Sequence, residues 1–579
     1  MTQFRHLILC SLLLTACAQA PVQPETDDQA GQLDQSDQSS QEAESATNLP
    51  NVDLSGEILF KYLLSEIASQ RGHADLAAEG SIEVARKTRD PRLAMRAAQL
   101  ALQSGQMDQA VEAIKIWREI EPDSPVAMRT LAAALLRSGR LDEARQELLN
   151  VLQAKDTQTG QTFFQMYQMI APYPDKEEAL KLMRELAQQY PGVAEAHWAV
   201  AQLALAAGDE ALALSEARQA RGLRPEWDMA ASLESHLLRK SDPQQALKVL
   251  RTYLSRYPGA SEIRLQYARE LLEQKQLRQA RDEFQRLADE APDNPEMAFA
   301  IALISIQMND LQGAETQLKQ ALAKGKKDKD TVQYYLGQLS EARKNEDEAI
   351  GYYRQVTGGE HLYAAQIRIV FLLNNRGKFE EALEQLHQMK ASDNQQRVQL
   401  VLIEAQLLRS SNKYPEVYQL LRKNLESLPD HPDLLYETGM AADMIGEHKE
   451  FVKLMRKLIQ IKPDHAHAYN ALGYSMLERN ENLAEAMELV KKALQLAPDD
   501  SAIMDSVGWG HYRNGNLEES LKMLRRAYAA NPDPEIAAHL GEVLWQSGNK
   551  EEAKKIWQES LKANEGSVPL KAVMKRLMP

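Results

Sequence analysis

The sequence predicts an all-α superhelical solenoid of about fifteen helical hairpins, preceded by a disordered N-terminal segment. Alanine, leucine, glutamate and glutamine are abundant while aromatic residues make up 6% of the chain, a composition typical of stacked helices. Small residues recur about every 34 positions, with glycine and proline at fixed places around them. A constant period of this length indicates one helical unit repeated along the chain.

The first element is a predicted signal peptide over residues 1–16. Its apolar run, 7–14, is too short for a permanent membrane span but suits the apolar part of a signal peptide. The run leads into Leu-Thr-Ala-Cys, ending at Cys17, which resembles a bacterial lipobox. We therefore predict that Cys17 is lipidated, the alternative being an ordinary signal peptide cut after Ala18 or Ala20.

The lipobox resemblance also implies a location. In Gram-negative lipoproteins an aspartate after the lipidated cysteine favours retention in the inner membrane, and this chain has Ala18 there. The expectation is a protein anchored in the outer membrane by its lipid and facing the periplasm. Cys10 and Cys17 are the two cysteines, so removal of the signal peptide leaves no pair for an internal disulfide.

Residues 17–53 form a predicted disordered linker. From position 18 to 53 the segment has eight carboxylates and no lysine or arginine. It cannot bury enough apolar surface to offset the entropy lost on ordering. As a flexible coil it spans roughly 30–35 Å, which makes it a tether.

Residues 54–566 form the predicted repeat array. Fifteen marker positions run from 78 to 553, and these 475 residues in 14 intervals give a mean period of 33.9. Twelve markers are alanine, and the remaining three are Val417, Phe451 and Ser520. The full set of marker positions is 78, 110, 144, 179, 213, 246, 280, 314, 349, 382, 417, 451, 486, 520 and 553.

Each recurring residue type has a physical role in a hairpin. A small marker lets the second helix approach the first, and a glycine five residues before it, as at Gly105 and Gly139, supplies a turn with positive φ. Large apolar residues four after the marker, such as Phe284 and Trp557, lie on the same helix face. Proline commonly ends the second helix twelve residues after the marker. This is the tetratricopeptide pattern, which predicts a right-handed superhelix whose concave face is lined by first helices.

Residues 567–579 are predicted to form a capping helix. The segment after Pro569 is short and amphipathic. Repeat arrays need a terminal element that covers the apolar face of the last unit.

The sequence gives no indication of catalysis, of a cofactor or of a metal site. It has no Gly-rich phosphate loop, no His-Glu-x-x-His and no Gly-x-Ser-x-Gly. A net charge of −15 argues against nucleic-acid partners, because phosphate backbones favour basic proteins. We expect a protein that is not an enzyme and that acts by binding other proteins.

Candidate binding residues follow from the repeat register. First-helix positions one and four after the small residue at position eight tend to face the concavity. In the last units this rule, with the adjacent arginine, selects Tyr474, Trp509, Tyr512, Arg513 and Trp545. Aromatic and arginine side chains anchor many interfaces, but packing between neighbouring hairpins is an equally good explanation for Trp509 and Tyr512.

The chain also resembles a group of proteobacterial tetratricopeptide lipoproteins. The similarity is carried by His467-Ala-Tyr-Asn-Ala-Leu-Gly-Tyr474, Asp505-Ser-Val-Gly-Trp509 and the segment Glu535–Trp545, together with Leu63–Gly72 and Thr88–Arg92. The group includes a Pseudomonas adaptor lipoprotein that binds and activates a periplasmic carboxyl-terminal processing protease. That pair degrades peptidoglycan cross-link hydrolases.

The resemblance implies a non-catalytic adaptor. Its partners would be a C-terminal processing protease and peptidoglycan hydrolases as substrates, so that the chain promotes their proteolysis and regulates cell-wall cleavage. The alternative is a pilotin-like or envelope-complex assembly lipoprotein that binds structural proteins.

Overall fold

A computed structural model describes residues 50, 52–154 and 158–578. Within these residues the chain forms 31 α-helices and no strand. The predicted helical repeat solenoid is therefore confirmed. The signal peptide 1–16, the lipidation site Cys17 and all but the last few residues of the linker 17–53 lie outside the described residues.

The described part of the chain divides into two compact units, the first ending at Asp328. The first unit contains eight helical hairpins, each made of two consecutive helices. Its helices are α1 Gly56–Gln70, α2 Ala74–Thr88, α3 Pro91–Gln103, α4 Met107–Ile120, α5 Pro125–Arg137, α6 Leu141–Gln153, α7 Thr159–Ile170, α8 Lys176–Ala187, α9 Ala194–Ala206, α10 Glu210–Leu223, α11 Asp228–Ser241, α12 Pro243–Arg256, α13 Ser261–Glu273, α14 Leu277–Glu290, α15 Pro295–Gln307 and α16 Leu311–Ala323.

The second unit begins at Lys329 and contains seven hairpins and one final helix. Its helices are α17 Lys329–Ala342, α18 Glu346–Arg354, α19 Leu362–Asn375, α20 Phe379–His387, α21 Asn394–Ser410, α22 Tyr414–Ser427, α23 Pro432–Met444, α24 His448–Ile461, α25 Ala466–Arg479, α26 Leu483–Leu496, α27 Ser501–Arg513, α28 Leu517–Ala530, α29 Pro534–Gln546, α30 Lys550–Ala563 and α31 Val568–Leu577.

The sequence markers lie inside the second helix of every hairpin. All fifteen have at most 1% of their surface exposed, including Val417, Phe451 and Ser520. Each is the fourth residue of its helix, except Ala78, which is the fifth. The marker is therefore the buried contact point of the second helix, as its small size predicts.

In five hairpins of the second unit, the apolar residue four after the marker packs against a glycine of the first helix in the same hairpin. A methyl group built on Gly337 would lie 2.6 Å from Tyr353 Cε1, and one on Gly508 would lie 2.6 Å from Leu524 Cγ. At Gly541 the methyl group would overlap the indole of Trp557. Real Cβ atoms do not come this close, so these hairpins close only because the glycine has no side chain.

Most turns inside the hairpins use a left-handed residue. Gly548, two residues after the end of α29, has φ 91°, a conformation in which a side chain would be strained. In the hairpin that follows α25, asparagine takes this role, since Asn480 has φ 58°. Asparagine tolerates this conformation better than most residues because its short side chain can bond locally.

The last helix, α31, covers the end of the second unit. Leu570 and Val573 are buried and belong to the same apolar cluster as Trp557. The Arg576 guanidinium also donates to the carboxylate of Glu542 on α29. The exposed edge of the last hairpin is thus closed by an apolar contact and an ion pair.

Among the described residues, no helix combines the length and apolar character that a membrane span requires.

Replacing Gly541 with alanine tests the close approach of the two helices. Alanine favours a helix interior by about 1 kcal/mol over glycine, but here its methyl group overlaps the rigid Trp557 ring. Overpacking of a tight core costs about 1–3 kcal/mol, so we expect G541A to lower the unfolding midpoint in thermal or urea denaturation.

The matched control is Gly351→Ala on α18. A methyl group there meets nothing within 4 Å, so G351A should leave the midpoint unchanged or raise it. A G541A protein as stable as the parent would show that the glycine is not required.

Candidate functional site

The five predicted binding residues lie on three first helices of the second unit, α25, α27 and α29. Each of these helices has a glycine at its eighth position that faces the second helix of its own hairpin. The contact fixes the rotation of the first helix about its axis. The next residue, which is Tyr474 in α25 and Trp509 in α27, is therefore turned away from the second helix.

Trp509 is held between neighbouring first helices. Its Nε1 donates a 2.6 Å hydrogen bond to Glu478 Oε1 on α25. Its ring stacks on His539 of α29, with the ring centroids 4.2 Å apart and the planes 21° apart. Only 6% of Trp509 is exposed, so the structure places this residue in the packing between repeats.

Tyr474 reaches across one complete repeat. Its hydroxyl donates a 2.9 Å hydrogen bond to Glu535 Oε1, although α27 lies between their two helices in the sequence. Side chains from alternate repeats meet only where the first helices converge. Within α25–α29, this side of the stack is therefore the concave one, and Tyr474 lies on it half-buried.

A buried acid–histidine pair lies beneath these aromatic rings. His539 Nδ1 is 2.8 Å from Asp505 Oδ2, and both residues are buried. The other Asp505 oxygen, Oδ1, is buried without a hydrogen bond among the described residues. The pair therefore joins α27 to α29 through a single polar contact.

The charge state of His539 is set by two opposing effects. Burial disfavours the imidazolium, but the Asp505 carboxylate, supported by Glu535 and Glu478, outweighs burial and raises the pKa of His539 above its usual value. For Tyr474, burial is the main cause of a raised pKa, and Glu535 adds to it. The tyrosine hydroxyl is thus protonated and able to donate across the physiological range.

Tyr512 and Arg513 lie at the edge of the same cluster. The Tyr512 hydroxyl is 3.5 Å from Glu542 Oε1, and its ring is 4.9 Å from that of Trp509. Arg513 Nη1 donates a weak 3.4 Å hydrogen bond to the Glu478 carbonyl. Both side chains are half-buried, which leaves part of each available to a partner.

Trp545 is separate from this cluster. Its ring stacks on Trp557 of its own hairpin at 5.8 Å, and the Lys550 ammonium lies 5.1 Å from its centroid. The repeat register placed Trp545 with the other candidates, but its contacts are with the second helix of the last hairpin.

We call the connected cluster the aromatic–acidic face. It combines aromatic rings with four carboxylates from three adjacent first helices. Its members are Tyr474, Glu478, Asp505, Trp509, Tyr512, Glu535, His539 and Glu542.

The chemistry of this face is that of a binding surface. Its carboxylates are suited to cationic side chains, and its rings to apolar and cationic groups. Across the described ranges, no group of three or more histidine, cysteine, aspartate or glutamate residues is arranged to hold a metal ion.

The repeat register did not predict the carboxylates and the histidine of this face. Asp505 and His539 are 34 residues apart, almost one period, so their contact between adjacent first helices could have been sought from spacing alone. Glu478 and Glu535 could not be singled out in this way, since charged residues occur throughout the array.

A second aromatic cluster, in the first unit, was also missed. Trp198 on α9 stacks on Phe164 at 5.3 Å and contacts Tyr167 edge-on at 5.0 Å. Trp227 lies 5.9 Å from the same ring. Trp198 is almost completely buried, so this cluster packs repeats together in the first unit.

Comparison with known proteins shows the same repeat. Family models described as tetratricopeptide repeat match residues 101–159, 237–304, 271–339, 466–500 and 508–567. A TPR repeat-containing protein of Pseudomonas aeruginosa is 32% identical over 493 residues, which cover 84% of this chain and 82% of that protein. A TPR repeat-containing protein of Dictyostelium discoideum is 28% identical over 123 residues, which cover 19% of this chain and 46% of that protein.

Solved structures with helical repeats are similar at low identity. A thermophilic TPR protein of Thermus thermophilus is 20% identical with a TM-score of 0.29, covering 31% of this chain and 98% of that one. The APC/C hetero-tetramer Cut9–Hcn1 is 14% identical with a TM-score of 0.25, covering 85% of this chain and 97% of the matched one.

Titration of His539 tests the acid–histidine pair. Its folded pKa is raised above the unfolded value of 6.5, so its contribution to stability is complete below pH 6.5 and is lost as the pH rises through the folded pKa. We expect NMR to show that His539 titrates above 6.5 in the parent chain and at a lower pH in Asp505→Asn, where its main carboxylate partner is lost and burial is opposed only by Glu535 and Glu478.

His511 on α27 provides the internal control. Burial lowers the pKa of its imidazole, and no carboxylate is bonded to it in the described structure, so its titration should be the same in both proteins. Assignment uses His539→Asn. An unchanged His539 titration in D505N would contradict the pairing.

Proposed function

This chain belongs to the tetratricopeptide repeat family, and from that premise we propose that it is a non-catalytic adaptor held at the outer membrane by a lipid on Cys17. It brings a periplasmic C-terminal processing protease together with peptidoglycan cross-link hydrolases and promotes their proteolysis. Repeats of this family indicate a protein–protein interaction scaffold. The protease, the hydrolases and the location are carried by the resemblance described above.

The observation that supports binding most directly is the aromatic–acidic face. Its side chains are already ordered, because Trp509 is bonded to Glu478 and Tyr474 to Glu535. Ordering side chains on binding costs about 0.5–1.5 kcal/mol for each mobile one. A partner that docks on this face meets groups that have already lost this freedom, so its contacts contribute more fully to affinity.

An adaptor of this kind acts through local concentration. Two proteins bound to one scaffold react as if at millimolar concentration when the spacing between their sites is short. Burial of acyl chains on Cys17, at about 0.8 kcal/mol per methylene, would keep the scaffold at the membrane. No catalytic group of its own is needed for this effect.

The charge of the face favours a basic partner. Glu478 and Glu535 are exposed, and the chain has a net charge of −15. Opposite charges accelerate encounter, and ions screen this attraction. We infer that the substrates present a basic surface to the scaffold.

Reconstitution tests the adaptor function. The purified chain is mixed with a C-terminal processing protease captured from envelope extracts and with a co-captured hydrolase, and hydrolase degradation is followed by gel. We expect faster degradation in the presence of the chain, because both proteins bind one scaffold.

The pull-down from envelope extracts also distinguishes the adaptor from the alternative, an assembly lipoprotein that binds structural proteins. A pull-down that recovers structural envelope proteins and no processing protease favours the alternative. Degradation at the same rate with and without the chain would exclude the adaptor function. An exposed charge change away from the face, Glu551→Gln on α30, serves as the neutral control for the charge variant described next.

Salt dependence tests the basic partner. Glu478→Gln removes one charge but keeps the oxygen that accepts from Trp509, so the fold is preserved. We expect E478Q to weaken hydrolase binding about two- to fivefold at low salt, a difference of under about 1 kcal/mol typical of exposed charges, and to match the parent in high salt. Binding that does not change with salt would contradict the basic partner surface but not the scaffold function.

A further inference from the structure

The first helix of the array exposes an extended apolar surface. Its centre is Phe60, 65% exposed, with Leu63 at 49% and Leu64 at 52%. We call this surface the α1 apolar face. It consists of the side chains of Leu54, Leu59, Phe60, Tyr62, Leu63, Leu64, Ile67 and, from α2, Leu76.

The cause lies in how α1 packs on α2. The helix turns its small residues inward, so that Ser65 and Ala68 are buried and Ser65 lies against Gly80 of α2. Inner first helices are covered on more than one side, and α15 buries eight consecutive residues, 298–305. Among the described residues no hairpin precedes α1, so its large side chains have no neighbour to cover them.

Ion pairs within the chain flank the apolar face. Glu57 pairs with Lys87, and Lys61 pairs with Glu83. These exposed pairs cancel charge locally, although the whole chain has a net charge of −15. The pairing of these four groups reduces the repulsion between two copies of the face.

The size of the face matches an interface. Eight large side chains, each about half exposed, amount to roughly 600–800 Å² on one molecule, above the apolar patch that a monomer ordinarily exposes. Pairing with an equal face would bury about 1,200–1,600 Å², which is the range of stable protein–protein interfaces.

The chain before α1 is a poor cover for this surface. Residues 18–53 carry eight carboxylates and no lysine or arginine, and a charged polar segment gains little from contact with leucine and phenylalanine. A second copy brings an apolar face of equal size. We propose that two copies of this chain pair through their α1 apolar faces as a symmetric dimer, in which the same patch of each copy contacts the other.

Co-capture of two tagged copies tests the dimer. Full-length chains with different tags are co-expressed, extracted in mild detergent and captured through one tag, and the complex is sized by sedimentation. We expect a dimer in the parent. The double variant Phe60→Glu/Leu63→Glu places charges inside the interface and should weaken pairing at least about 100-fold.

The matched control is Leu223→Glu/Ile461→Glu. These residues are 45% and 42% exposed on other helices, so this variant should remain dimeric. Circular dichroism checks that each variant is folded, which is expected because all four residues are exposed. Every variant in this co-capture keeps Cys17. Co-capture that arose only because two chains share one detergent micelle would therefore also be seen with F60E/L63E.

Two outcomes would overturn the dimer. One is a monomeric parent, and the other is an F60E/L63E chain that pairs as well as the parent. A monomer whose unlipidated Cys17→Ser form sediments with phosphatidylethanolamine–phosphatidylglycerol vesicles only when Phe60 and Leu63 are intact would assign the face to the membrane instead. These measurements need only the chain itself, so their failure is independent of the adaptor proposal.

Discussion

The hairpins of the second unit depend on one recurring steric contact, in which a large side chain of the second helix packs directly against a glycine of the first. In the last hairpin Gly541 receives Trp557, and in an earlier hairpin Gly337 receives Tyr353. The tight fit sets the distance between the two helices and their rotation. Because the small marker residue beside it is completely buried, there is little freedom for any other arrangement.

This contact also decides which residues reach the binding face. Once Gly508 faces α28, Trp509 must point toward the neighbouring first helices, where it meets Glu478 and His539. The same helix rotation brings Asp505 to His539. The aromatic–acidic face is therefore a direct consequence of how the hairpins close, and its order needs no ligand.

Much of the fold could be predicted from the sequence, because each hairpin repeats the same local rules. The marker at Ala553, the positive φ at Gly548 and the large residue at Trp557 are set within one hairpin. The contacts of Trp509 could not be predicted this way, since they depend on side chains from two other repeats. The exposure of Phe60 could not be predicted from the sequence either, because the first hairpin has the same residue pattern as hairpins that are covered on both sides.

The Tyr474–Glu535 hydrogen bond has a mechanical consequence. It joins α25 to α29 directly, so bending these three hairpins apart lengthens this bond and also the His539–Asp505 contact beneath it. A solenoid whose repeats touch only their neighbours behaves as an elastic spring, with each repeat contributing compliance. Here three successive hairpins are joined by hydrogen bonds, so this segment resists bending more than a segment whose repeats contact only their neighbours. A force applied to it is therefore transmitted to the hairpins on either side.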